Sequence, residues 1–290
     1  MNRRRLVVIV AVMGLIGSVC AVLYPLVSNY LADQRQEQVL LSVEEQMEGV
    51  TDQALDTERK EANAYNRALA SYISGNGGVN IDEAAYADRL NMGGDGIMGI
   101  LTIPRLSVKL PIYHGTGTAV LDKGIGHVYG TSLPVGGVGT HAALSGHTGM
   151  AGQRMFSDLD QLKEGDLFVL RVLGEELTYM VDRIRVVLPT DVSELAIDPA
   201  EDYVTLITCT PYGVNTHRLL VRGVRVENPE KDPHTPNADT EGAVSPAPST
   251  WRQRYGLSLL LGLAGGAVMV VPITIWRRRK KSRRRLRGRL

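Results

Sequence analysis

Two apolar runs bracket this chain, and each is flanked by a cluster of basic residues. Residues 6–27 carry no ionisable side chain except Cys20 and Tyr24, and residues 257–276 carry none at all. As a helix, twenty residues rise roughly 30 Å, about the thickness of a bilayer's hydrocarbon core. Arg3, Arg4 and Arg5 precede the first run, and ten Lys or Arg fall in the last fourteen residues. Tyr255 and Trp276 stand at the borders of the second run, where interfacial aromatics belong. The pattern predicts two membrane spans. A cleaved signal peptide has a shorter apolar core and a small-x-small exit, neither of which is present, and Val19 argues against lipoprotein processing at Cys20. The first span therefore reads as an uncleaved anchor.

The formal net charge of +1 hides a strong asymmetry. Thirteen of the 32 Lys and Arg sit at the two ends, which leaves 19 against all 31 acids in the middle, a net charge of −12 there. Positive flanks stay cytoplasmic, so both ends are expected inside and the acidic middle outside. The basic tail at 277–290 follows a span directly and reads as a stop-transfer signal touching anionic lipid, with no nucleic-acid partner.

Six segments follow: 1–32, a basic end with the first span; 33–95, a helical stalk; 96–228, a β-rich region; 229–256, a Pro-rich linker; 257–276, the second span; and 277–290, the tail. Residues 33–74 are rich in Glu, Gln, Ala and Leu and lack Pro, so one or two helices are expected. A Ser-Gly-Asn-Gly-Gly-Val breaker follows, then a short helical stretch at 82–90. From Gly96 short β-branched runs alternate with Gly, Pro and Asp turns, at 97–103, 108–113, 141–146, 167–172, 177–187, 203–209 and 218–226. Seven or so such strands suggest a closed or nearly closed barrel.

Cys209 is the one cysteine outside the apolar runs, so it has no intramolecular disulfide partner. A buried, inert thiol is the ordinary fate of a free cysteine. Here, though, Tyr203-Val-Thr-Leu-Ile-Thr-Cys209 reads as a strand ending at the thiol, and Arg218 opens the returning strand of a hairpin. A guanidinium beside a thiol favours the thiolate and can stabilise an oxyanion. Of six histidines, His147 lies in a Gly-His-Thr-Gly turn after a strand, where a side chain can project into a site. His217 should point to the opposite face from Arg218, and His234 lies in the linker. His141 and His147 have no carboxylate between them, which gives weak support for zinc. The Gly136-Gly-Val-Gly139 run is not followed by a helix and makes a poor phosphate cradle. Asp198, Glu201 and Asp202 read as a solvated loop rather than a calcium site. No cofactor or metal is expected.

Longer strings carry more. Ile103-Pro-Arg-Leu, Leu110-Pro-Ile-Tyr-His-Gly115, Gly126-His, Ser132-Leu-Pro-Val-Gly-Gly137, Thr205-Leu-Ile-Thr-Cys209 and Cys209-Thr-Pro-Tyr-Gly-Val-Asn-Thr-His-Arg218 occur in this order between the two apolar runs. Over about 96–226 the chain resembles the sortase family of cysteine transpeptidases, and these strings are similar to its class C, pilin-polymerising branch. The resemblance implies a mainly β fold, an eight-stranded barrel with N-terminal helices and two transmembrane helices. It implies Cys209 as nucleophile, His147 as acid/base and Arg218 as oxyanion or substrate-positioning group. The partners implied are pilins or surface proteins bearing a Leu-Pro-x-Thr-Gly-like signal, at the membrane of a Gram-positive-type bacterium. The thioester would retain the acyl energy until a lysine amine resolves it.

Many class C members carry an Asp-Pro-aromatic lid over the cysteine, and this sequence has no such motif. The corresponding stretch is Asn80-Ile-Asp-Glu-Ala-Ala-Tyr86. A vestigial lid would use Asp82, with Tyr86; alternatively Asp82 simply caps the helix at 83–90. No carboxylate is expected as an orienter of His147, and neither Asp166 nor Asp182 is placed in a triad. Three other readings remain. One is a housekeeping sortase that uses a cell-wall peptide amine. Another is a transpeptidase acting on peptidoglycan itself, which leaves Arg218 beside Cys209 unexplained. The third is a non-catalytic membrane-tethered barrel whose thiol resists alkylation.

Overall fold

The computed structural model describes residues 3–75, 82–148 and 155–227. The chain divides into two units, one of 1–31 with 249–290 and the other of 32–248, which contains the barrel.

Helix α1 runs over Arg3–Glu48, continuous through the first apolar stretch. Among the described residues no helix is long and apolar enough to cross a membrane. Most side chains of 6–27 lie outside the described residues, as do the linker, the second apolar run and the basic tail. Helix α2, Asp52–Ile73, starts at an N-cap, Thr51, whose hydroxyl accepts from the Ala54 N–H at 3.4 Å. Its buried residues Ala62, Tyr65, Asn66 and Leu69 recur at helical spacing and form one face. The short α3, Glu83–Asp88, follows. Two helices thus cover residues 33–73, where one or two were expected, and a short helix follows at Glu83–Asp88.

Eight strands close the barrel: β1 Ile97–Ile103, β2 Val108–His114, β3 Ile125–His127, β4 Thr140–Ser145, β5 Leu167–Val172, β6 Glu175–Val187, β7 Asp202–Thr210 and β8 His217–Arg225. The order around it is β1-β2-β3-β4-β7-β8-β6-β5, with β5 pairing back to β1. Two pairs are parallel, β2 with β3 and β4 with β7; the rest are antiparallel. Seven strands fall within two residues of the expected bounds. The eighth, β3, holds three residues, too few to carry an alternating pattern.

With two phenylalanines in the chain, the barrel interior is mainly aliphatic. Leu101, Ile103, Leu110, Ile112, Leu144, Leu170, Val204, Leu206 and Val221 fill it, around Phe168 stacked on Tyr179 at 5.6 Å. Gly223 makes room for that stack, since a Cβ there would lie 2.6 Å from the Phe168 ring.

The motif strings include much of the scaffold's internal wiring. Asn66 brackets the Leu133 peptide, donating to its carbonyl at 3.1 Å and accepting from its N–H at 2.7 Å, which ties α2 to the 132–137 loop. Gly126 must be glycine because a Cβ would meet the Gly115 carbonyl at 2.0 Å. Asp202 is buried, not solvated: its carboxylate accepts from Gly137 N at 2.7 Å, Tyr179 Oη at 3.1 Å and Thr140 Oγ1 at 3.3 Å. The expectation of a solvated acidic loop fails at this residue because β7 begins there and draws it under the 136–140 turn.

Candidate active site

Alternation along a strand decides which side chains share a face. On β7, Val204 and Leu206 belong to the core, so Tyr203, Thr205, Ile207 and Cys209 point outward. On β8, Leu219 and Val221 are core, so Arg218, Leu220 and Arg222 point outward. On β4, Ala142 and Leu144 are core, and His141, Ala143 and Ser145 point outward. One outer face therefore spans β4, β7 and β8.

Cys209 and Arg218 are directly opposed in the antiparallel β7–β8 register. Opposed residues on one face bring their Cβ atoms within roughly 4.5–5.5 Å. The turn between them is stiffened by Val214 N and Asn215 N, which donate to the Pro211 carbonyl at 3.0 and 2.9 Å. The Arg218 guanidinium folds back on it, donating to the carbonyls of Asn215 at 3.3 Å and His217 at 3.0 Å. His217 pairs with Thr210 and falls on the opposite face, as expected.

His147 lies just past the end of β4. The parallel register pairs Ser145 with Ile207, and Gly146 N donates to the Ile207 carbonyl at 3.0 Å. Thr208 Oγ1 then donates to the Gly146 carbonyl at 2.8 Å. His147 itself follows two residues beyond Ser145, the last paired residue of β4. Cys209 is half-buried and free. The fold thus sets Cys209 and Arg218 side by side at one end of this outer face, and His147 follows the end of the neighbouring β4.

The other end of this face is capped. His141 contacts the Ala196 carbonyl through Nδ1 at 2.9 Å and Thr205 Oγ1 through Nε2 at 2.8 Å. Nδ1 must donate to the carbonyl, so in the neutral ring Nε2 accepts the threonine proton. Burial holds this imidazole below the usual histidine range, which favours that neutral form. Arg183 pairs with Glu194 at 3.2 Å, adding a second tie to the β6–β7 connection. Arg222 forms a two-pronged pair with Asp182 and stacks over Tyr203 at 4.0 Å. These groups tie the far end of the face to β6 and to the β6–β7 connection.

Asp82 is the N-cap of α3, accepting from Ala84 N at 3.4 Å. Tyr86 is buried, with its hydroxyl 2.9 Å from His127 Nδ1 and accepting from Gly115 N at 3.0 Å. The capping alternative for Asp82 matches its contacts, and the Tyr86 hydroxyl is engaged at β3. The residue missed by the sequence is Asp122, at the C-terminal end of α4, Thr118–Leu121. Its carboxylate lies 3.9 Å from His147 Nε2. Nothing in the local sequence marks it, because the contact depends on β3 pairing with β4. Among the described residues no group of three metal-ligating side chains is present.

A thiol and a guanidinium paired on the outside of a closed barrel set a nucleophile-type group beside a hydrogen-bond donor. The sortase domain model matches residues 101–226. The structure of sortase C1 from Streptococcus agalactiae aligns at 42% identity with a TM-score of 0.62, over 66% of this chain and 99% of that one. Sortase C from Clostridium perfringens, solved with the C-terminal cell wall sorting motif, aligns at 42% identity and a TM-score of 0.59, over 66% and 99%. Sortase D of Bacillus subtilis is 30% identical over 131 residues, which is 44% of this chain and 63% of that relative. The chain belongs to the sortase family, whose members are cysteine transpeptidases.

Proposed function

We propose that this protein is a membrane-anchored, pilin-type sortase. In this reading it cleaves a Leu-Pro-x-Thr-Gly-like signal between Thr and Gly and transfers the acyl group to a lysine amine of a pilin subunit. The observation that carries it is the direct pairing of Cys209 with Arg218 across the β7–β8 ladder.

In the first half-reaction the Cys209 thiolate attacks the threonine carbonyl carbon. Negative charge gathers on the carbonyl oxygen, where the Arg218 guanidinium stabilises it. The C–N bond to glycine then breaks as the His147 imidazolium gives its proton to the leaving amine. In the second, a lysine amine attacks the thioester, His147 takes the amine proton, and the Cys209 thiolate departs. Bond energy is conserved through the thioester, so no nucleotide is consumed.

The sorting-motif substrate draws support from the similar Clostridium perfringens sortase C solved with such a motif, and the pilin type from the class C strings and similar structures. The apolar runs at 6–27 and 257–276 support two anchors with both termini cytoplasmic and the barrel outside, on a Gram-positive-type cell.

The test is intact-mass spectrometry of the full chain with a Leu-Pro-x-Thr-Gly peptide, wild type against Cys209→Ala. The expected adduct equals the peptide through Thr and appears only in the wild type. Adding a pilin-derived lysine peptide should resolve it faster than a cell-wall peptide amine does. The reverse preference would indicate a housekeeping sortase. A Cys209 inert to both the peptide and a small alkylating agent would sink the catalytic reading.

A further inference from the structure

We infer that Asp122 is a positioning residue for His147, holding Nε2 so that Nδ1 is the nitrogen that exchanges protons with Cys209 and the leaving amine. This rests on the proposed role of His147.

Topology brings the two together. In the antiparallel β3–β4 pair Gly126 opposes Ser145. Continuing that register sets Ile125 against Gly146, and a Cβ on Gly146 would indeed meet Ile125 at 3.0 Å. The next step sets Gly124 against His147, so 122–124 run past the imidazole. Both backbones are fixed there. Asp122 N donates to the Thr118 carbonyl at 2.9 Å and Gly124 N to Val120 at 3.1 Å, which holds the end of α4. On the other side the His147 carbonyl accepts from Phe156 N at 3.1 Å. Lines of backbone hydrogen bonds thus converge on a carboxylate 3.9 Å from Nε2.

That separation is an ion-pair contact, and a small rotation of the carboxylate or one bridging water makes it a hydrogen bond. A carboxylate on one ring nitrogen fixes the tautomer and the ring plane and stabilises the imidazolium during turnover, while itself staying ionised. With the His147 side chain 36% exposed and Asp122 50% exposed, solvent screening limits the effect. Exposed pairs contribute little, so the expected loss is roughly three- to fivefold in turnover.

The test compares wild type, Asp122→Ala, Asp122→Asn and Asp122→Glu in the full chain. Turnover and KM are read with the sorting peptide, and the ring-nitrogen shifts of His147 are read by 15N NMR. Asp122→Ala and Asp122→Asn should lower kcat by roughly three- to fivefold with KM held within about twofold. In spectra taken at a pH high enough that the His147 ring is neutral, Asp122→Ala should shift its signal from a single Nε2–H tautomer toward a mixture. Asp122→Glu should restore most of both. Wild-type kcat in Asp122→Ala, or a fall in kcat with unchanged His147 nitrogen shifts, would overturn the assignment. The spectra need no substrate. Should the wild type form no acyl-enzyme, the functional reading fails and the spectra still decide the part played by Asp122.

Discussion

Arg218 opposes Cys209 across the β7–β8 ladder, while its guanidinium donates to the backbone carbonyls of Asn215 and His217. The cation is therefore held by the same turn that presents the thiol. In the proposed reaction, a cation so braced would need little reorganisation as charge develops on a substrate oxygen beside Cys209, the condition under which a fixed donor is most effective.

Replacing Arg218 with Ala should lower kcat for thioester formation by ~10²–10³. Arg218→Lys should recover part of this, since an ammonium lacks the planar fork but keeps the charge. Single-turnover mass spectrometry with the sorting peptide measures both. Loss confined to KM would mean that Arg218 only binds the ground state.

The tight fit at Gly223 gives a stability prediction. Gly223→Ala drives a methyl against Phe168 at 2.6 Å and toward Tyr179 at 2.9 Å. Overpacking of this sort costs about 1–3 kcal/mol. A denaturant titration should show a lower midpoint with an unchanged slope. Because the strain lies on the inner face, the alkylation rate of Cys209 should stay the same.

Buried His127 links folding to pH. Desolvation lowers its pKa to about 4, from an ordinary 6.5. Between those values the unfolded chain binds a proton that the folded chain refuses, so stability falls as pH drops from about 6.5 and levels off below about 4. The full drop is about 3 kcal/mol at 1.36 kcal/mol per unit. His141, also held low by burial, adds in the same direction, whereas Asp202, raised by burial, opposes it at acid pH. The difference between wild type and His127→Gln isolates the His127 part. Parallel pH profiles for the two would refute it.

Much of this was legible in the sequence because it is local. Strands β1, β2 and β4–β8 are long enough to alternate, and the 33–74 stretch has helix-forming composition throughout. The Cys209–Arg218 hairpin was also legible, since a strand, a turn and a returning strand fix their own register. What was hidden is non-local. Strand β3 has three residues, and only its parallel pairing with β2 makes it a strand. Asp122 reaches His147 through that same strand, so nothing near either residue announced the contact. The buried state of Asp202 depends on Gly137, Thr140 and Tyr179, each more than twenty positions away in the chain.

Tyr86 separates a lid from a lock. Its hydroxyl meets His127 Nδ1 at 2.9 Å, while His127 Nε2 lies 2.8 Å from the Ser132 carbonyl and must donate to it. Nδ1 of the neutral ring is therefore bare, and Tyr86 donates to it. Nearby, Leu90 N donates to Glu58 at 2.6 Å and Arg89 pairs with Glu61, so the end of α3 is bound to α2 as well. Tyr86→Phe leaves Nδ1 of a buried imidazole and the Gly115 N–H without a partner, at a cost of about 1–3 kcal/mol. As a lock, the variant should lose that stability in a denaturant titration and react with iodoacetamide at Cys209 at the wild-type rate. Were the segment a lid closing on the thiol, the same variant would instead raise the alkylation rate several-fold. A rise of that size with stability unchanged would return Tyr86 to the active site.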